Sequence, residues 1–246
     1  MLVVERLGKS YGETRALDGV SIEFRAGTVH AILGENGSGK STLVKLLAGV
    51  VSPSEGRILI EGRPLVAASP AAVQAAGVAT VFQEVLIAPD RSVAENILLG
   101  RDGIFHWTIR PSRRHNVAAQ TLARITKTAI DIDVPAGALP LSVRQLIVLA
   151  RGLVWSPRVL ILDEITAALD FGDREAVFQV LERFAADGGL ILFISHRMDE
   201  VMRLAHRVSV LRSGRLVETL PLGGTSPDAL LRLMAPETAR ELAHDA

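Results

Sequence analysis

A glycine-rich segment that follows a short apolar run constrains the fold of this chain more than any other feature of its sequence. The segment Gly34-Glu35-Asn36-Gly37-Ser38-Gly39-Lys40-Ser41, followed by Thr42, fits the pattern GxxxxGK[ST]. It comes directly after the strand-like run VHAIL and directly before a helical stretch, 40–48. In this order, the glycines let successive backbone N–H groups point inward around a phosphate. The alternative is a glycine turn that matches by accident, and the strand–loop–helix context disfavours it.

The same segment predicts a nucleoside triphosphate with its magnesium ion as the ligand. Lys40 places a cation near the β- and γ-phosphates, Ser41 offers a hydroxyl to Mg²⁺, and the helix N-terminus adds a favourable dipole. The second half of such a site is an acid at the end of a buried strand, and Asp163 and Glu164 follow the run VLIL. Asp163 is predicted to hold Mg²⁺ through water, and Glu164 to orient or deprotonate an attacking water. Taken alone, two such acids could simply cap a strand.

Short apolar runs rich in Val, Ile and Leu recur along the chain and predict an α/β fold. The runs are VHAIL, VATVF, VLILD, LILFI and VSVLR. Their lack of polar alternation is typical of strands buried on both faces of a mostly parallel sheet, and helical stretches such as 40–48 and 173–186 lie between several of them. In the N-terminal part, LVVERL, GVSIEF and GRILIEG are separated by turn signals and predict antiparallel strands.

The chain is interpreted as one domain, residues 1–246, made of three parts. Residues 1–84 and 155–225 are predicted to form a core that includes the antiparallel strands. Residues 85–154 carry long helical patterns and few strand signals, which predicts a helical subdomain inserted into that core. Residues 226–246 are predicted to form one or two surface helices.

The composition excludes several classes of function. Lys and Arg together number 27, as do Asp and Glu, so no overall basic field predicts nucleic acid as a partner. The absence of cysteine excludes disulfides, thiolate metal sites and thiol catalysis, and suits a reducing compartment. The sequence contains no apolar run of about eighteen residues, and its N-terminus turns polar after four residues. These features predict a cytoplasmic protein.

The run LSVRQLIVLARGL, at 141–153, predicts an amphipathic helix with Ser142 as its cap. Apolar residues fall on one face at helical spacing: Leu146, Leu149, Ala150 and Leu153. Arg144 then stands in the first turn, where the helix dipole disfavours a cation. A position of this kind calls for an explanation of what the arginine contacts.

Taken together, these motifs resemble the ATPase domain of ABC transporters, most closely the ATPases of bacterial sugar importers of the ribose and galactose type. The resemblance covers nearly the whole chain in the family's order. It rests on GENGSGKSTL, FQE at 82–84, SVAENI at 92–97, LSVRQ, DEITAALD and FISHRMDEV. It implies a P-loop NTPase core with a mostly parallel sheet, an N-terminal antiparallel β subdomain and an inserted helical subdomain.

The resemblance also implies roles for single residues. Tyr11 would stack on adenine, the alternative being a partly buried surface ring. Gln83 would touch Mg²⁺ and the attacking water, and His196 would contact the γ-phosphate. Asp170 would belong to a loop that crosses to a partner domain, although by itself it could be a turn residue or a helix cap. The nucleotide-binding set is Tyr11, Glu35, Asn36, Gly37, Ser38, Gly39, Lys40, Ser41, Thr42, Ser142, Arg144, Gln145 and Asp170.

In the family, the segment that matches LSVRQ contacts the ATP bound on a second ATPase domain, so Ser142 and Gln145 are expected to face that nucleotide. Arg144 stands where the family has glycine, and three readings stay open. The arginine could impair closure, because a Cβ takes the space of an approaching phosphate and an unsuitable backbone angle costs about 1–2 kcal/mol. It could instead act as a compensating phosphate ligand. It could also turn harmlessly out to solvent.

The function implied by the resemblance is an ATP-hydrolysing subunit of a sugar importer. Its cofactors are ATP and Mg²⁺, and its partners are a second ATPase domain, a transmembrane permease and, indirectly, a solute-binding protein. It would lie peripherally on the inner face of the cell membrane. One alternative is a nucleotide-binding module with impaired hydrolysis that pairs with a second ATPase domain. A further alternative is an ATPase that acts on DNA or ribosomes. It would require long coiled-coil inserts or tandem domains with basic linkers, and the sequence contains neither.

Overall fold

A computed structural model describes residues 1–65, 69–100 and 111–235 of the chain. Its strands are β1 (Leu2–Tyr11), β2 (Thr14–Phe24), β3 (Val29–Leu33), β4 (Glu55–Ile60), β5 (Arg63–Pro64), β6 (Val78–Val81), β7 (Val159–Asp163), β8 (Leu190–Ile194), β9 (Arg207–Arg212) and β10 (Arg215–Pro221). Its helices are α1 (Lys40–Leu47), α2 (Pro70–Ala75), α3 (Val93–Leu98), α4 (Pro111–Ile125), α5 (Leu141–Leu153), α6 (Phe171–Ala186), α7 (Met198–Leu204) and α8 (Pro227–Met234).

The larger sheet has the strand order β10-β9-β3-β8-β7-β6. The pairs from β9 to β6 are parallel, and only β10 runs antiparallel, against β9. All five residues of β3 and of β8 are buried, as expected for strands covered on both faces. The predicted strands VHAIL, VATVF, VLILD, LILFI and VSVLR all lie in this sheet, which confirms the α/β fold.

Because β3, β8, β7 and β6 are parallel neighbours, their carboxyl ends meet at one edge of the sheet. The glycine-rich loop leaves the end of β3, and Asp163 ends β7. Gln83 and His196 each follow two residues after the ends of β6 and β8. Ligands of open α/β sheets bind at this edge, outside the carboxyl ends of the strands.

The second sheet, β2-β1-β4-β5, is antiparallel, so the prediction for the N-terminal strands is confirmed. Alternate residues of β3 pack in two separate hydrophobic clusters, one on each face of the larger sheet. Val29, Ala31 and Leu33 pack in a cluster with the helices α3 to α6. Ile32 packs in the other, with β1, β2 and α1. The central strand therefore joins both layers of the molecule.

Between residues 85 and 154 the described chain is helical, with α3, α4, a short 3-10 helix (Ala136–Ala138) and α5. Its single β-bridge pairs Ser92 with Pro135. Residues 101–110 of this predicted subdomain lie outside the described residues, as do 236–246 of the predicted C-terminal helices. No helix in the described ranges has the length and apolar character needed to cross a bilayer.

The prediction that Ser142 caps α5 is wrong. The helix begins one residue earlier, at Leu141, and Pro140 occupies the capping position without a side-chain hydrogen bond. Proline suits this place because its fixed φ, here −57°, leads into a helix and it has no N–H to leave unpaired. Ser142 consequently lies inside the first turn.

Candidate functional site

The glycine-rich loop has a backbone path that only glycine permits at its junction with α1. Gly39 has φ 104°, and a Cβ there would lie 2.6 Å from Leu17 Cδ2 and 2.8 Å from the carbonyl oxygen of Ala16. The turn at Gly214 also touches the loop, because its N–H donates to the carbonyl of Ser38 at 3.1 Å. The loop is thus fixed from outside by β2 and by the β9–β10 turn.

Lys40 lies across this loop. Its ammonium donates to the carbonyl oxygens of Gly34 at 2.7 Å and Glu35 at 2.9 Å. Burial lowers the pKa of Lys40, and the negative charges of Glu164 and Asp163 partly offset that effect. An ammonium has three donors, so one remains for a phosphate oxygen.

Glu164 adopts a backbone conformation that is rare for a residue with a side chain. Its φ is 51°, and its N–H donates to the carbonyl of Ile194, in β8, at 3.0 Å. A left-handed conformation costs such a residue roughly 1–2 kcal/mol and is often found at functional sites.

The side chain of Glu164 brings three of the predicted residues together. Its Oε2 accepts a hydrogen bond from Gln83 Nε2 at 3.1 Å and lies 3.3 Å from His196 Nδ1. Gln83, Glu164 and His196, which are far apart in the sequence, therefore meet around a single carboxylate oxygen.

Asp163 carries a charge that its surroundings disfavour. Burial raises its pKa, the neighbouring Glu164 raises it further, and Lys40 and Lys45 act in the opposite direction. A cation beside Asp163 would relieve this cost. The oxygens available nearby are the Asp163 carboxylate, the Ser41 hydroxyl and the Gln83 amide oxygen, and hard oxygen donors of this kind fit Mg²⁺ that shares its shell with phosphates and water.

These residues line one cleft of about 890 Å³. Of the predicted residues it contains Tyr11, Asn36, Gly37, Gly39, Lys40, Ser41, Thr42, Gln83, Asp163, Glu164 and His196. Tyr11 is 46% exposed, with Lys9 Nζ 5.1 Å from the centre of its ring. A larger depression, of about 1290 Å³, lies against α4 and α6 and contains none of the predicted residues.

Sequence reasoning missed six residues of this cleft: Thr14, Arg15, Ala16, Ile194, Ser213 and Gly214. The first three lie on β2, Ile194 ends β8, and the last two form the turn between β9 and β10. In the sequence that turn carries the ordinary signal of a hairpin. Nothing local connects it to a loop that lies some 170 residues earlier, since its contact with Ser38 depends on the fold.

Six predicted residues do not line the cleft: Glu35, Ser38, Ser142, Arg144, Gln145 and Asp170. The first two belong to the glycine-rich loop itself, and the other four lie at the starts of α5 and α6. Gln145 is only 9% exposed, and its Oε1 is buried without a hydrogen-bond partner among the described residues. Asp170 caps α6, with Oδ1 accepting from the N–H of Asp173 at 2.8 Å. The four residues at the starts of α5 and α6 therefore belong to a surface other than the one that holds the phosphate loop.

Arg144 is anchored by the chain segment before its helix. Its Nε donates to the carbonyl of Leu139 at 2.7 Å, and its Nη2 donates to the carbonyl of Gly137 at 2.8 Å. These two carbonyls offset the unfavourable helix dipole. The reading in which the guanidinium turns out to solvent is wrong, because the side chain is half-buried and bonded twice. The expected backbone cost is also absent, since Arg144 has ordinary helical geometry.

Comparison with known proteins agrees with this fold. The family model described as ABC transporter matches residues 17–167. The ribose import ATP-binding protein RbsA 1 of Rhizobium johnstonii is 43% identical over 231 residues, which are 94% of this chain and 45% of that protein. The arabinose import ATP-binding protein AraG 1 of Burkholderia cenocepacia is 38% identical over 97% of this chain and 47% of its own length. The chain thus spans about half the length of these relatives.

Solved structures share this fold. The ADP conformation of MJ1267, an ATP-binding cassette of an ABC transporter, superposes with a TM-score of 0.80 at 26% identity, over 100% of this chain and 99% of that one.

Proposed function

The chain belongs to the ABC transporter family, and from this premise we propose that it is an ATP-binding and ATP-hydrolysing subunit of a sugar importer. The observation that carries the proposal is the single cleft in which the phosphate loop faces Asp163, Glu164, Gln83 and His196. The substrate class is supported by relatives that are named for the import of ribose and arabinose.

Within the cleft, each residue has a distinct task. Backbone N–H groups of the loop and the Lys40 ammonium bind the phosphates, and Tyr11 stacks on the adenine. Glu164 accepts a proton from the attacking water, and Gln83 and His196 orient that water and the γ-phosphate.

Magnesium, when bound, neutralises charge on the phosphate oxygens. Ser41, Asp163 and Gln83 would hold it. The raised pKa of Asp163 indicates that its ionised form is unfavourable in the chain alone, and a bound cation would lower that cost.

The residues outside the cleft support a second ATPase domain as the partner. Ser142, Arg144 and Gln145 lie at the start of α5, and Asp170 lies at the start of α6. In the proposed arrangement these two helix starts face the nucleotide of the other domain. This chain covers 45% of the ribose import relative, so that relative has about as much further polypeptide, enough for a second domain. A membrane permease and an extracytoplasmic solute-binding protein complete the importer, and this subunit docks on the permease at the inner face of the membrane.

One observation favours a second candidate function. Arg144 places a fixed cation where a close approach of the backbone to phosphate is expected. A nucleotide-binding module with impaired hydrolysis, acting beside a fully active partner domain, is therefore the alternative.

The proposal is tested by calorimetry and turnover on the parent chain and two variants. Lys40→Ala should abolish measurable MgATP binding. Glu164→Gln should bind MgATP as the parent does while turnover falls about a hundredfold or more, the usual contribution of a general base. A parent chain that binds no MgATP overturns the proposal, and a parent that binds but does not turn over supports the second candidate.

A further inference from the structure

Glu200, on α7, is a buried acid that the roles described above do not use. It is 1% exposed, although glutamate is almost never fully buried unless it is paired. Its Oε2 accepts hydrogen bonds from the hydroxyls of Thr166 at 2.6 Å and of Ser195 at 2.9 Å. Both hydroxyls are themselves buried.

The two hydroxyls come from the two segments that present Glu164 and His196. Thr166 lies two residues after Glu164, and Ser195 directly precedes His196. Ser195 Oγ also accepts from the N–H of Arg197 at 3.1 Å, which fixes the backbone on the other side of the histidine. One carboxylate oxygen therefore joins the two loops whose side chains meet at 3.3 Å in the cleft.

The second oxygen of Glu200 faces two arginines. Oε1 lies 3.3 Å from Arg197 Nη1 and 3.9 Å from Arg174 Nη1. Arg174 is in the first turn of α6, and its N–H donates to the carbonyl of Asp170 at 3.0 Å. The arginines balance the buried charge and link it to a third segment, the one that carries Asp170.

We propose that Glu200 is a positioning residue that holds Glu164 and His196 in their working geometry. This inference rests on the proposed ATPase function. Hydrogen bonds to a charged acceptor are short and strong, so a buried carboxylate can fix two loops more tightly than a neutral group. The consequence is large because displacement of a catalytic group by about 1 Å costs about a hundredfold in rate.

A purely structural role would be to satisfy buried polar groups, and it makes a different prediction. Loss of a structural contact lowers the stability of the whole domain. Loss of a positioning contact loosens the two loops and leaves the strands beneath them intact. Suitable reporters exist: the N–H of Leu169 donates to the carbonyl of Thr166, the N–H of Arg197 donates to Ser195, and the N–H of Ile191, in β8, donates to the carbonyl of Thr28.

The test compares Glu200→Leu and Glu200→Gln with the parent chain, without nucleotide, by amide hydrogen exchange. In Glu200→Leu the amides of Leu169 and Arg197 should exchange about tenfold faster or more, while that of Ile191 keeps the parent rate. Glu200→Gln retains one acceptor oxygen but no charge, so its exchange rates at Leu169 and Arg197 should lie between those of the parent and of Glu200→Leu. The matched control is Glu182→Gln, which removes the ion pair of Glu182 with Arg203 of α7 and should change none of the three amides.

Turnover and MgATP affinity complete the test. In Glu200→Leu, turnover should fall about tenfold or more while the affinity stays within about threefold of the parent. Unchanged exchange at Leu169 and Arg197, or exchange that rises equally at Ile191, overturns the positioning role. Unchanged turnover in Glu200→Leu, when the parent chain is active, also overturns the positioning role. A parent without turnover overturns the proposed function instead.

A second variant keeps the test decisive if Glu200→Leu does not fold. Ser195→Ala removes one hydroxyl and leaves the carboxylate with its arginines. It should speed exchange at Arg197, whose N–H loses its acceptor, and at Leu169, which is tied to the same carboxylate through Thr166. Faster exchange at Arg197 alone would overturn the proposal that the Glu200 carboxylate joins the two loops.

Discussion

Asp163 and Glu164 are adjacent acids with different environments. Asp163 ends a buried strand, and burial raises its pKa. Glu164 turns into the cleft, where Gln83 donates to its carboxylate. For the neighbouring Lys40 the shift has the opposite direction, because burial lowers the pKa of its ammonium group. The site therefore holds charges that the folded chain would be more stable without, which is a common cost of function.

Replacement of Asp163 by asparagine should expose this cost. A carboxyl group whose folded pKa is raised stabilises the fold only below its ordinary pKa, and that contribution is lost as pH rises through the folded pKa. At pH 7, above the ordinary pKa of an aspartate, burial of the Asp163 carboxyl therefore destabilises the fold relative to a neutral side chain. Asp163→Asn should raise the melting temperature without magnesium by about 2–4 °C, the effect of about 1 kcal/mol in a domain of this size.

Scanning calorimetry at pH 7 and at acidic pH checks this expectation. The gain should shrink on acidification, since the parent carboxyl becomes neutral as well. The matched control is Asp170→Asn, because asparagine caps a helix about as well as aspartate and the melting temperature should stay close to the parent value. A lower melting temperature for Asp163→Asn would contradict the argument.

At the scale of the element, α5 combines an unusual start with a conventional body. Its inward face packs in the larger hydrophobic cluster, which holds the helix in place. Its start carries Pro140 at the cap position and the guanidinium of Arg144, which is bonded back to the preceding 3-10 turn. The arginine therefore stabilises the start of the helix and also occupies the surface that would meet a partner's phosphate.

Substitution of Arg144 separates its possible roles. If the side chain hinders approach of the phosphate, Arg144→Gly should raise ATP turnover by about tenfold, which corresponds to about 1.4 kcal/mol. It should also lower the free energy of unfolding by about 1–3 kcal/mol, because two carbonyls lose their donors and glycine is unfavourable in a helix.

Two further variants serve as controls for the turnover measurement. Arg144→Ala keeps a Cβ but no guanidinium, and Arg144→Lys keeps a charge. Hindrance by the long side chain predicts faster turnover for alanine and not for lysine. Slower turnover in both Arg144→Gly and Arg144→Ala would show instead that Arg144 binds phosphate. Unchanged turnover in Arg144→Gly would contradict the hypothesis that Arg144 impairs turnover.

At the scale of the whole molecule, much of the fold and of the cleft could be predicted from the sequence. The five buried runs have a local signal, and once they form a parallel sheet their ends must bring Lys40, Asp163 and His196 together. What escaped prediction depends on distant contacts. The anchoring of Arg144, the Gly214 turn and the bridge made by Glu200 join segments whose proximity no local pattern encodes. The misplaced Ser142 cap shows that helix ends are less well encoded than helix bodies.

The molecule also exposes large apolar side chains on the surface assigned to a partner domain. Phe171, directly after Asp170, is 72% exposed, and Leu141, at the start of α5, is 54% exposed. Burial of such side chains between two domains would contribute about 1.5–3 kcal/mol each. The cleft itself is lined by one chain, so the unpaired chain is expected to bind nucleotide.

Phe171→Glu should therefore weaken pairing and leave the MgATP affinity of the unpaired chain unchanged. In the background of Glu164→Gln, which should accumulate the MgATP-bound form, light scattering should show a dimer, and Phe171→Glu should weaken its association by about tenfold or more because a charge replaces a buried ring. The matched control is Leu231→Glu on α8, where a residue 52% exposed lies outside this surface and should leave association unchanged. Equal weakening by both substitutions would contradict the assignment of this surface. A Glu164→Gln chain that stays monomeric with MgATP would contradict pairing with itself and would point to a second domain of different sequence.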